Sequence, residues 1–163
     1  MKFKKIYRKL RCFDFDDTLA YTDAKIRILN KGLSLSSKEF ARYRRDKNDK
    51  IDFSDFRKPE LIQPKPTAFF RSAFGRIVSG DSDVMILTAR PETSAIKMFL
   101  SQYAPTNRIT IVGGAETPEL KKQEIEKVLD DYDDIIFFDD SLANINAVKS
   151  LNNPKVRTQL VKN

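Results

Sequence analysis

Two runs of aspartates each come directly after a run of apolar residues. Asp14, Asp16 and Asp17 form the first run, and Asp139 and Asp140 form the second. Two carboxylates about 4 Å apart repel by about 1 kcal/mol in water and by about 4 kcal/mol at an effective dielectric of about 20, so this crowding calls for a cation. Oxygen donors without His or Cys favour a hard divalent ion, and a site that must also hold phosphate suits Mg²⁺ better than a closed calcium cage.

The pattern of apolar runs predicts the strands that position these aspartates. Apolar runs alternate with segments of helical period, which is typical of a Rossmann-like α/β fold, a mostly parallel sheet of about five strands flanked by helices. The strands are predicted at residues 10–15, 84–87, 109–112, 135–138 and 156–161. Because ligands bind at the carboxyl ends of the strands in such sheets, we expect the two acidic runs to meet there.

Helices are predicted before the second strand and in the gaps between the strands that follow it. The first spans 68–78 and is closed by Gly80, and Pro91 is predicted in the first turn of the next helix, whose apolar residues recur at helical spacing. Thr117 is predicted as the N-cap of a third helix, with Pro118 at its first position. A fourth helix is predicted directly after Asp140, before the last strand.

Residues 20–67 are predicted to form a small inserted cap within a single domain that spans 1–163. This charged, proline-containing segment separates the first two strands by far more than an ordinary connection does. Ser36 and Glu39 match a capping box, which predicts a short helix through about Arg45. The stretch 46–66 is predicted to be irregular.

Positive charge is concentrated in two parts of the chain. The net charge is +7, yet residues 1–11 hold six Lys/Arg and no acid, and residues 21–67 hold twelve basic against seven acidic residues. The remainder is net negative, which predicts either a basic rim that attracts anionic substrates, nucleotides or nucleic-acid ends, or merely a solvated basic surface. Four aromatic residues of the cap are expected to form its small core or to stack on bases: Tyr21, Tyr43, Phe53 and Phe56.

Residue types that are missing or rare exclude several kinds of site. The chain has no His and one Cys, which excludes a Ser/His/Asp triad, a His-ligated zinc site and an internal disulfide. Cys12 has no Arg six residues further on, so a buried core thiol is expected rather than a cysteine phosphatase nucleophile. The apolar runs are too short for a membrane span or a signal peptide, and a reducing, cytoplasmic location is expected.

Four motifs in order resemble the haloacid dehalogenase-like superfamily of aspartate-nucleophile phosphatases. The sequence CFDFDDTL at 12–19 matches an apolar strand followed by Asp-x-Asp-x-Thr, VMILT at 84–88 matches a strand ending in Thr, and FDDSLAN at 138–144 matches a strand ending in an acidic pair. The family's lysine, near the start of the helix before that last strand, is Lys121 or Lys122, of which Lys121 is preferred. One such motif is weak, but four at plausible spacing are specific.

The resemblance implies a Mg²⁺-dependent phosphomonoester hydrolase that works through an aspartyl phosphate. In that family's pattern Asp14 attacks phosphorus, and Asp16 protonates the leaving alcohol and then activates water. The metal is held by the Asp14 carboxylate, the Asp16 backbone carbonyl and Asp140, while Asp139 orients Lys121.

Further residues are implied in substrate binding and support. Thr88 and the backbone amides of Phe15 and Ala89 bind phosphoryl oxygens, Arg90 contacts a substrate phosphate or forms a structural ion pair, and Asn144 lies behind the metal ligands. The small phosphatase domains of polynucleotide kinases are organised similarly, although this chain has no kinase P-loop. The expected substrate is a nucleotide or a polynucleotide phosphate end.

Other functions are compatible with parts of the same pattern. A phosphosugar or other metabolite phosphatase is the closest alternative. A phospho-accepting receiver domain also combines acidic residues, a Thr and a Lys around Mg²⁺, but its Lys follows a late strand whereas Lys121 precedes one. A catalytically idle nucleic-acid-binding protein is a third alternative, against which the pair Asp14 and Asp16 argues. The oligomeric state is left open.

Overall fold

The computed structural model describes residues 5–163, so part of the basic run 1–11 lies outside it. The strands are β1 (Lys9–Phe13), β2 (Ala20–Tyr21), β3 (Ile26–Ile28), β4 (Leu33–Leu35), β5 (Ile51–Asp52), β6 (Lys65–Pro66), β7 (Asp83–Leu87), β8 (Ile109–Val112), β9 (Asp134–Asp139) and β10 (Val156–Leu160). The α-helices are α1 (Ser37–Arg42), α2 (Gly75–Val78), α3 (Ser94–Ser101), α4 (Pro118–Glu126) and α5 (Leu142–Lys149). None of the helices within 5–163 has the length and apolar composition that crossing a membrane requires.

A parallel sheet in the order β10-β9-β1-β7-β8 forms the centre of the fold. The strand β1 is central, and Phe13 near its carboxyl end is paired with Ile86 of β7 on one side and Phe138 of β9 on the other. This register brings Asp14 and Asp139 to the same edge of the sheet. The predicted α/β fold, a five-stranded parallel sheet flanked by helices, is confirmed.

The first strand ends two residues earlier than the predicted range 10–15. After Phe13 the chain leaves the sheet, and the carbonyl of Phe15 accepts hydrogen bonds from the amides of residues 18–20. Asp17 closes this turn with a positive φ of 63°, a conformation that Asp tolerates better than most residues. Turn formation by the acidic run therefore outweighs the apolar character of Phe15, and it leaves Asp14 and Asp16 at the start of a tight loop.

Successive residues of the strands face two separate apolar cores. Phe13 packs on the face covered by α3 and the helical segment 68–78, and its ring stacks on that of Phe138 with centroids 4.7 Å apart. Cys12 points to the other face, among side chains of α4 and α5. It is fully buried, as predicted, and burial raises the pKa of its thiol. Each large apolar side chain buried in these cores contributes about 1.5–3 kcal/mol.

The predicted helix starts are correct for one helix and wrong for another. Thr117 caps α4 by accepting a hydrogen bond from the amide of Leu120, and Pro118 is its first residue, as predicted. Helix α3 begins at Ser94 rather than at Pro91. At this later start the carboxylate of Glu92 accepts a hydrogen bond from the amide of Ser94 at 2.9 Å, so an amide of the first helical turn, which has no partner within the helix, is satisfied locally.

Residues 20–67 fold as two small sheets and one short helix outside the main sheet. Strands β2 and β6 pair antiparallel at the two ends of the segment, and β4-β3-β5 form a second sheet. The capping box of α1 is present, with the Glu39 amide donating to the Ser36 hydroxyl at 3.1 Å and the Ser36 amide donating to the Glu39 carboxylate at 2.7 Å. Helix α1 ends at Arg42 instead of continuing to about Arg45.

The stretch 46–66, predicted to be irregular, is so only in part. It contains β5, a 3₁₀ turn over Ser54–Arg57 and β6. Buried Asp55 organises this part, because its carboxylate accepts two hydrogen bonds from Arg27, at 3.0 and 3.1 Å, and one from the Lys25 amide at 2.9 Å. Arg27 foremost holds the pKa of Asp55 far below its usual range. Contacts between residues so far apart in sequence leave no local periodicity to predict them from.

Candidate active site

Asp14 is the first residue after the central strand β1, and its carboxylate is held from two sides. The ammonium of Lys121 donates to Oδ1 at 2.5 Å, and the hydroxyl of Thr18 lies 3.0 Å from Oδ2. The amide of Asp14 donates to the carbonyl of Phe138, which ties the residue to β9. Although Asp14 is largely buried, it lines a cavity, so its carboxylate is both oriented and accessible.

Lys121 reaches Asp14 from the first turns of α4 and is only 3% exposed. Its ammonium also donates to Oδ2 of Asp139 at 3.0 Å. Burial alone would lower the pKa of Lys121, but the charges of Asp14 and Asp139 outweigh it and raise the pKa above the usual range. Lys121, rather than Lys122, therefore supplies a fixed positive charge beside Asp14.

Asp139 is fully buried and is held by three donors. Besides Lys121, the side-chain amide of Asn144 donates to Oδ2 at 2.9 Å, and the backbone amide of Ser141 donates to Oδ1 at 2.8 Å. Burial and the neighbouring charge of Asp14 raise the pKa of Asp139 to about 6, which Lys121 partly opposes. Asp139 thus orients Lys121, and Asn144 orients Asp139, as the resemblance implies.

Asp140 completes a cluster of carboxylates that can hold a cation. The hydroxyl of Thr18 lies 3.0 Å from Oδ1 of Asp140 and also accepts a hydrogen bond from its amide. Carboxylate oxygens of Asp14, Asp139 and Asp140 all lie within 4.8 Å of one another. Burial, with the charges of Asp14 and Asp139, raises the pKa of Asp140 to about 8.

The donor chemistry of this cluster fits a hard divalent cation. Lys121 pairs with Asp14 and Asp139 but not with Asp140, so the cluster of three aspartates keeps an excess of negative charge that a cation would offset. The carbonyl oxygen of Asp16 accepts no hydrogen bond from any residue in 5–163, which leaves it free as a further ligand. All the available ligand atoms are oxygens.

The side chain of Asp16 is turned away from this cluster and pairs with Arg90. The guanidinium donates to both carboxylate oxygens, at 2.8 and 2.7 Å, and also to the hydroxyl of Thr22 at 3.2 Å. Arg90 is 2% exposed and lies 4.9 Å from the ring centre of Phe56 in the cap. Burial raises the pKa of Asp16 above its usual range, and Arg90 opposes that shift. Of the two predicted roles of Arg90, ion pairing is the one seen in this geometry.

Thr88, Ala89 and Phe15 are gathered at the same edge of the sheet. Thr88 is fully buried, and its hydroxyl accepts a hydrogen bond from the Arg90 amide at 3.1 Å, so it shapes the loop after β7 and does not line the cavity. Within the described chain, the amides of Phe15 and Ala89 donate no hydrogen bond to another residue. They are two available donors close to Asp14, suited to binding an anion.

A cavity of about 480 Å³ lies between the carboxyl edge of the sheet and the cap. The sheet side contributes Asp14, Asp16, Ala89 and Arg90, and the start of α4 contributes Glu116 and Thr117. The cap side contributes mostly apolar and cationic residues: Ile26, Ser37, Phe40, Ala41, Arg45, Phe53, Phe56 and Arg57. Phe53 and Phe56, two of the cap aromatics singled out in the sequence, therefore face the predicted reaction centre.

The sequence patterns gave no role to Thr18 and did not assign Phe40 or Arg57 to the site. Thr18 bridges Asp14 and Asp140, and its signal was available, because it is the threonine of the Asp-x-Asp-x-Thr motif. Phe40 and Arg57 reach the cavity only through the folding of the cap, so no local pattern marks them. Tyr43, in contrast, uses its hydroxyl to contact Lys31 and Asp49 inside the cap.

Comparisons with known proteins bear on the fold of this chain and not on its chemistry. No family model and no curated protein matches the chain. A solved structure of the Legionella pneumophila effector Ceg4 is similar, with a TM-score of 0.54 and 15% sequence identity over 98% of this chain and 89% of that one. At this level of identity the similarity extends to the fold alone. The chain shares with Ceg4 a Rossmann-like α/β architecture built on a parallel sheet.

Proposed function

We propose that the protein is a Mg²⁺-dependent phosphomonoester hydrolase that works through an aspartyl phosphate. The observation that carries the proposal is the setting of Asp14. Its carboxylate lies at the end of the central strand, is fixed by Lys121 and Thr18, and opens onto a cavity that also exposes Asp16. A nucleophile, a fixed positive charge and a second carboxyl group are the groups that phosphoryl transfer requires.

In the first half of the reaction, a carboxylate oxygen of Asp14 attacks phosphorus. The new bond joins Asp14 to phosphorus while the bond from phosphorus to the leaving oxygen breaks. Asp16, protonated on an oxygen that it has released from Arg90, gives its proton to the leaving oxygen. In the second half, ionised Asp16 takes a proton from water, the water oxygen attacks phosphorus, and the bond to Asp14 breaks. Inorganic phosphate leaves, and both aspartates return to their starting states.

Positive charge and amide donors stabilise the phosphoryl group during both steps. Lys121 offers its ammonium beside Asp14, and the amides of Phe15 and Ala89 are available to the phosphoryl oxygens. Asp14, Asp140 and the Asp16 carbonyl would hold the metal, while Asp139 keeps its contacts with Lys121 and Asn144. When bound, Mg²⁺ would supply the additional positive charge that neutralises the phosphoryl oxygens.

The substrate class we propose is a nucleotide or a polynucleotide phosphate end. It is supported by the basic and aromatic residues that the cap places on the cavity, Arg45, Arg57, Phe53 and Phe56 among them. Such a cap attracts an anionic substrate and offers rings to a base. A sugar phosphate would be bound by the arginine charges but would have no base to stack on the rings.

Phosphate release from a substrate panel tests this proposal. The panel contains nucleoside monophosphates, oligonucleotides with a 3′ or 5′ phosphate and sugar phosphates, each with Mg²⁺ or with EDTA. We expect turnover only with Mg²⁺ and its loss in Asp14→Asn, whereas Asp130→Asn, which removes an exposed carboxylate in the same way, retains it. No turnover on any member would overturn the proposal and favour a receiver or an idle binding protein.

A further inference from the structure

The cap side of the cavity contains a wall of aromatic rings. Phe40 of α1, Phe53 directly before the 3₁₀ turn and Phe56 within that turn are half-buried, and all three line the same cavity as Asp14. The rings of Phe40 and Phe53 meet edge to face, with centroids 5.5 Å apart and planes at 87°. Half-buried phenyl rings beside an open cavity are the surface on which a planar ring stacks.

Two cationic side chains without an ion-pair partner border this wall. Arg45 and Arg57 are exposed, line the cavity and form no salt bridge with any residue in 5–163. In contrast, Arg27 and Lys58 of the cap both pair with Asp55. The guanidinium of Arg45 lies 4.5 Å from the ring centre of Phe40, so ring and charge are adjacent. Guanidinium groups suit phosphate because their donors match its oxygens.

The remaining charges of the cavity restrict where a second anion can bind. Arg90 is paired with Asp16, and Glu116 adds a negative charge on the α4 side. A second anionic group is therefore disfavoured near α4 and favoured on the cap side, at Arg45 and Arg57. The volume of about 480 Å³ lies within the range of small-ligand sites and exceeds what a phosphoryl group alone needs.

We propose that the cap forms a leaving-group subsite for a nucleoside that carries a second phosphate, with the base against Phe40 and Phe53 and the second phosphate at Arg45 and Arg57. The inference rests on the proposed hydrolase function, because the first phosphate is the one placed at Asp14. The simplest such ligand is a nucleoside 3′,5′-bisphosphate. A phosphotyrosyl peptide also has a ring, but its other charges lie along the peptide chain, outside the cavity. A nucleoside bisphosphate places its base and both phosphates within a single cavity of this size.

The test compares kcat/KM for adenosine 3′,5′-bisphosphate, the two adenosine monophosphates, ribose 5-phosphate and a phosphotyrosyl peptide. We expect the bisphosphate to be preferred over both monophosphates and over ribose 5-phosphate by about tenfold or more. The variant Arg45→Gln/Arg57→Gln is expected to remove the preference for the second phosphate, and Phe40→Leu/Phe53→Leu the preference for the base. For each variant, the loss of kcat/KM is expected to be larger for the bisphosphate than for ribose 5-phosphate, which has neither a base nor a second phosphate.

A matched control removes the same charge elsewhere. Arg71→Gln/Lys97→Gln changes two exposed cations on the helices of the main domain and is expected to leave every preference unchanged. Equal kcat/KM for bisphosphate and ribose 5-phosphate, or a preference for the peptide, would overturn the subsite while the hydrolase stands. If no substrate turns over, the hydrolase fails, and the subsite is tested by calorimetry. Adenosine 3′,5′-bisphosphate must then bind the wild type more tightly than Arg45→Gln/Arg57→Gln, and equal binding overturns the subsite.

Discussion

Lys121 is a buried cation placed between Asp14 and Asp139, and this position gives it two roles. A charge that is removed from water is tolerated only where partners replace the lost hydration, and here the two carboxylates do so. In return, Lys121 fixes the Asp14 carboxylate and offsets part of the repulsion within the acidic cluster. The proposed catalysis and the stability of the fold would therefore depend on the same ammonium.

Removing this ammonium is expected to affect both properties. Lys121→Met leaves Asp14 and Asp139 without their shared partner, so in EDTA we expect a loss of about 3 kcal/mol in the free energy of unfolding. We expect kcat to fall at least about a hundredfold, because the phosphoryl charge loses a donor. Urea denaturation and phosphate release measure the two effects. Lys122→Met is the matched control, and an equal loss in both variants would contradict the assigned role.

The motif spacing predicted that Asp14, Asp139 and Asp140 lie at one edge of the sheet, but not the pairing of Asp16 with Arg90. These three aspartates lie at the carboxyl ends of two parallel strands. Because such strand ends share one edge of the sheet, the proximity of the aspartates could be expected from the sequence. The partners Asp16 and Arg90 are 74 residues apart, and both belong to loops. Which side chains meet across two loops depends on loop conformation, which periodicity does not describe.

At the scale of elements, the loop after β7 is packed against the loop after β8. A methyl group added at Gly113 would lie 2.6 Å from the carbonyl oxygen of Arg90 and 2.7 Å from Thr93. The first of these atoms belongs to the backbone and cannot move aside without moving the loop that carries Arg90. The glycine at this position therefore allows the close approach of two loops that form the site.

Substitution of this glycine is expected to disturb the site from a distance. Gly113→Ala should displace the backbone of Arg90, loosen its pairing with Asp16 and lower kcat/KM by about tenfold, as small misplacements of catalytic groups do. Gly75→Ala, where the added methyl meets no atom within 4 Å inside a helix, should keep full activity and gain about 0.5–1 kcal/mol of stability. Unchanged kinetics in Gly113→Ala would contradict the prediction.

The cap depends on a buried carboxylate, which gives its stability a predictable pH dependence. Arg27 foremost keeps the native pKa of Asp55 well below its unfolded value of about 4. A lowered native pKa means that the contribution to stability is complete above pH 4 and is lost as the pH falls toward the native pKa. The sign is therefore destabilisation by acid.

We expect Asp55→Asn to lower Tm at pH 6, at a cost of about 2 kcal/mol for the lost charged hydrogen bonds. The difference from the wild type should shrink steadily below pH 4, as Asp55 of the wild type is protonated. Thermal unfolding between pH 2 and 7 provides the measurement, with Glu60→Gln, an exposed residue of the cap, as the control. A difference in Tm that is independent of pH would contradict this account.

Elements of the main sheet were predictable to within two residues, whereas the cap was not. Strands 84–87 and 109–112 and the start of α4 follow from apolar runs and capping signals that are local in sequence. In the cap, β5 and the 3₁₀ turn depend on the distant pairing of Asp55 with Arg27, and ahead of α3 the Glu92 carboxylate accepts a hydrogen bond from the Ser94 amide. Local patterns describe elements well only where local interactions define them.

At the scale of the whole molecule, the uneven charge predicts a response to salt. The net charge is +7, and the cap, with its excess of basic residues, borders the cavity. For an anionic substrate, kcat/KM should fall by about tenfold between 0.05 and 0.5 M NaCl at constant Mg²⁺, because screening weakens attraction over distances beyond about 10 Å at 0.1 M salt. A value of kcat/KM that does not change with salt would show that the basic surface takes no part in binding.

The central claim is that Asp14 becomes phosphorylated and then dephosphorylated in each turnover. Its most direct test is acid quenching of the enzyme during turnover with a ³²P-labelled nucleotide and Mg²⁺, followed by peptide mapping. We expect a label on the peptide that contains Asp14, which decays at the rate at which phosphate appears and is absent in Asp14→Asn. Steady phosphate release without label on this peptide, or a lasting label without release, would contradict it.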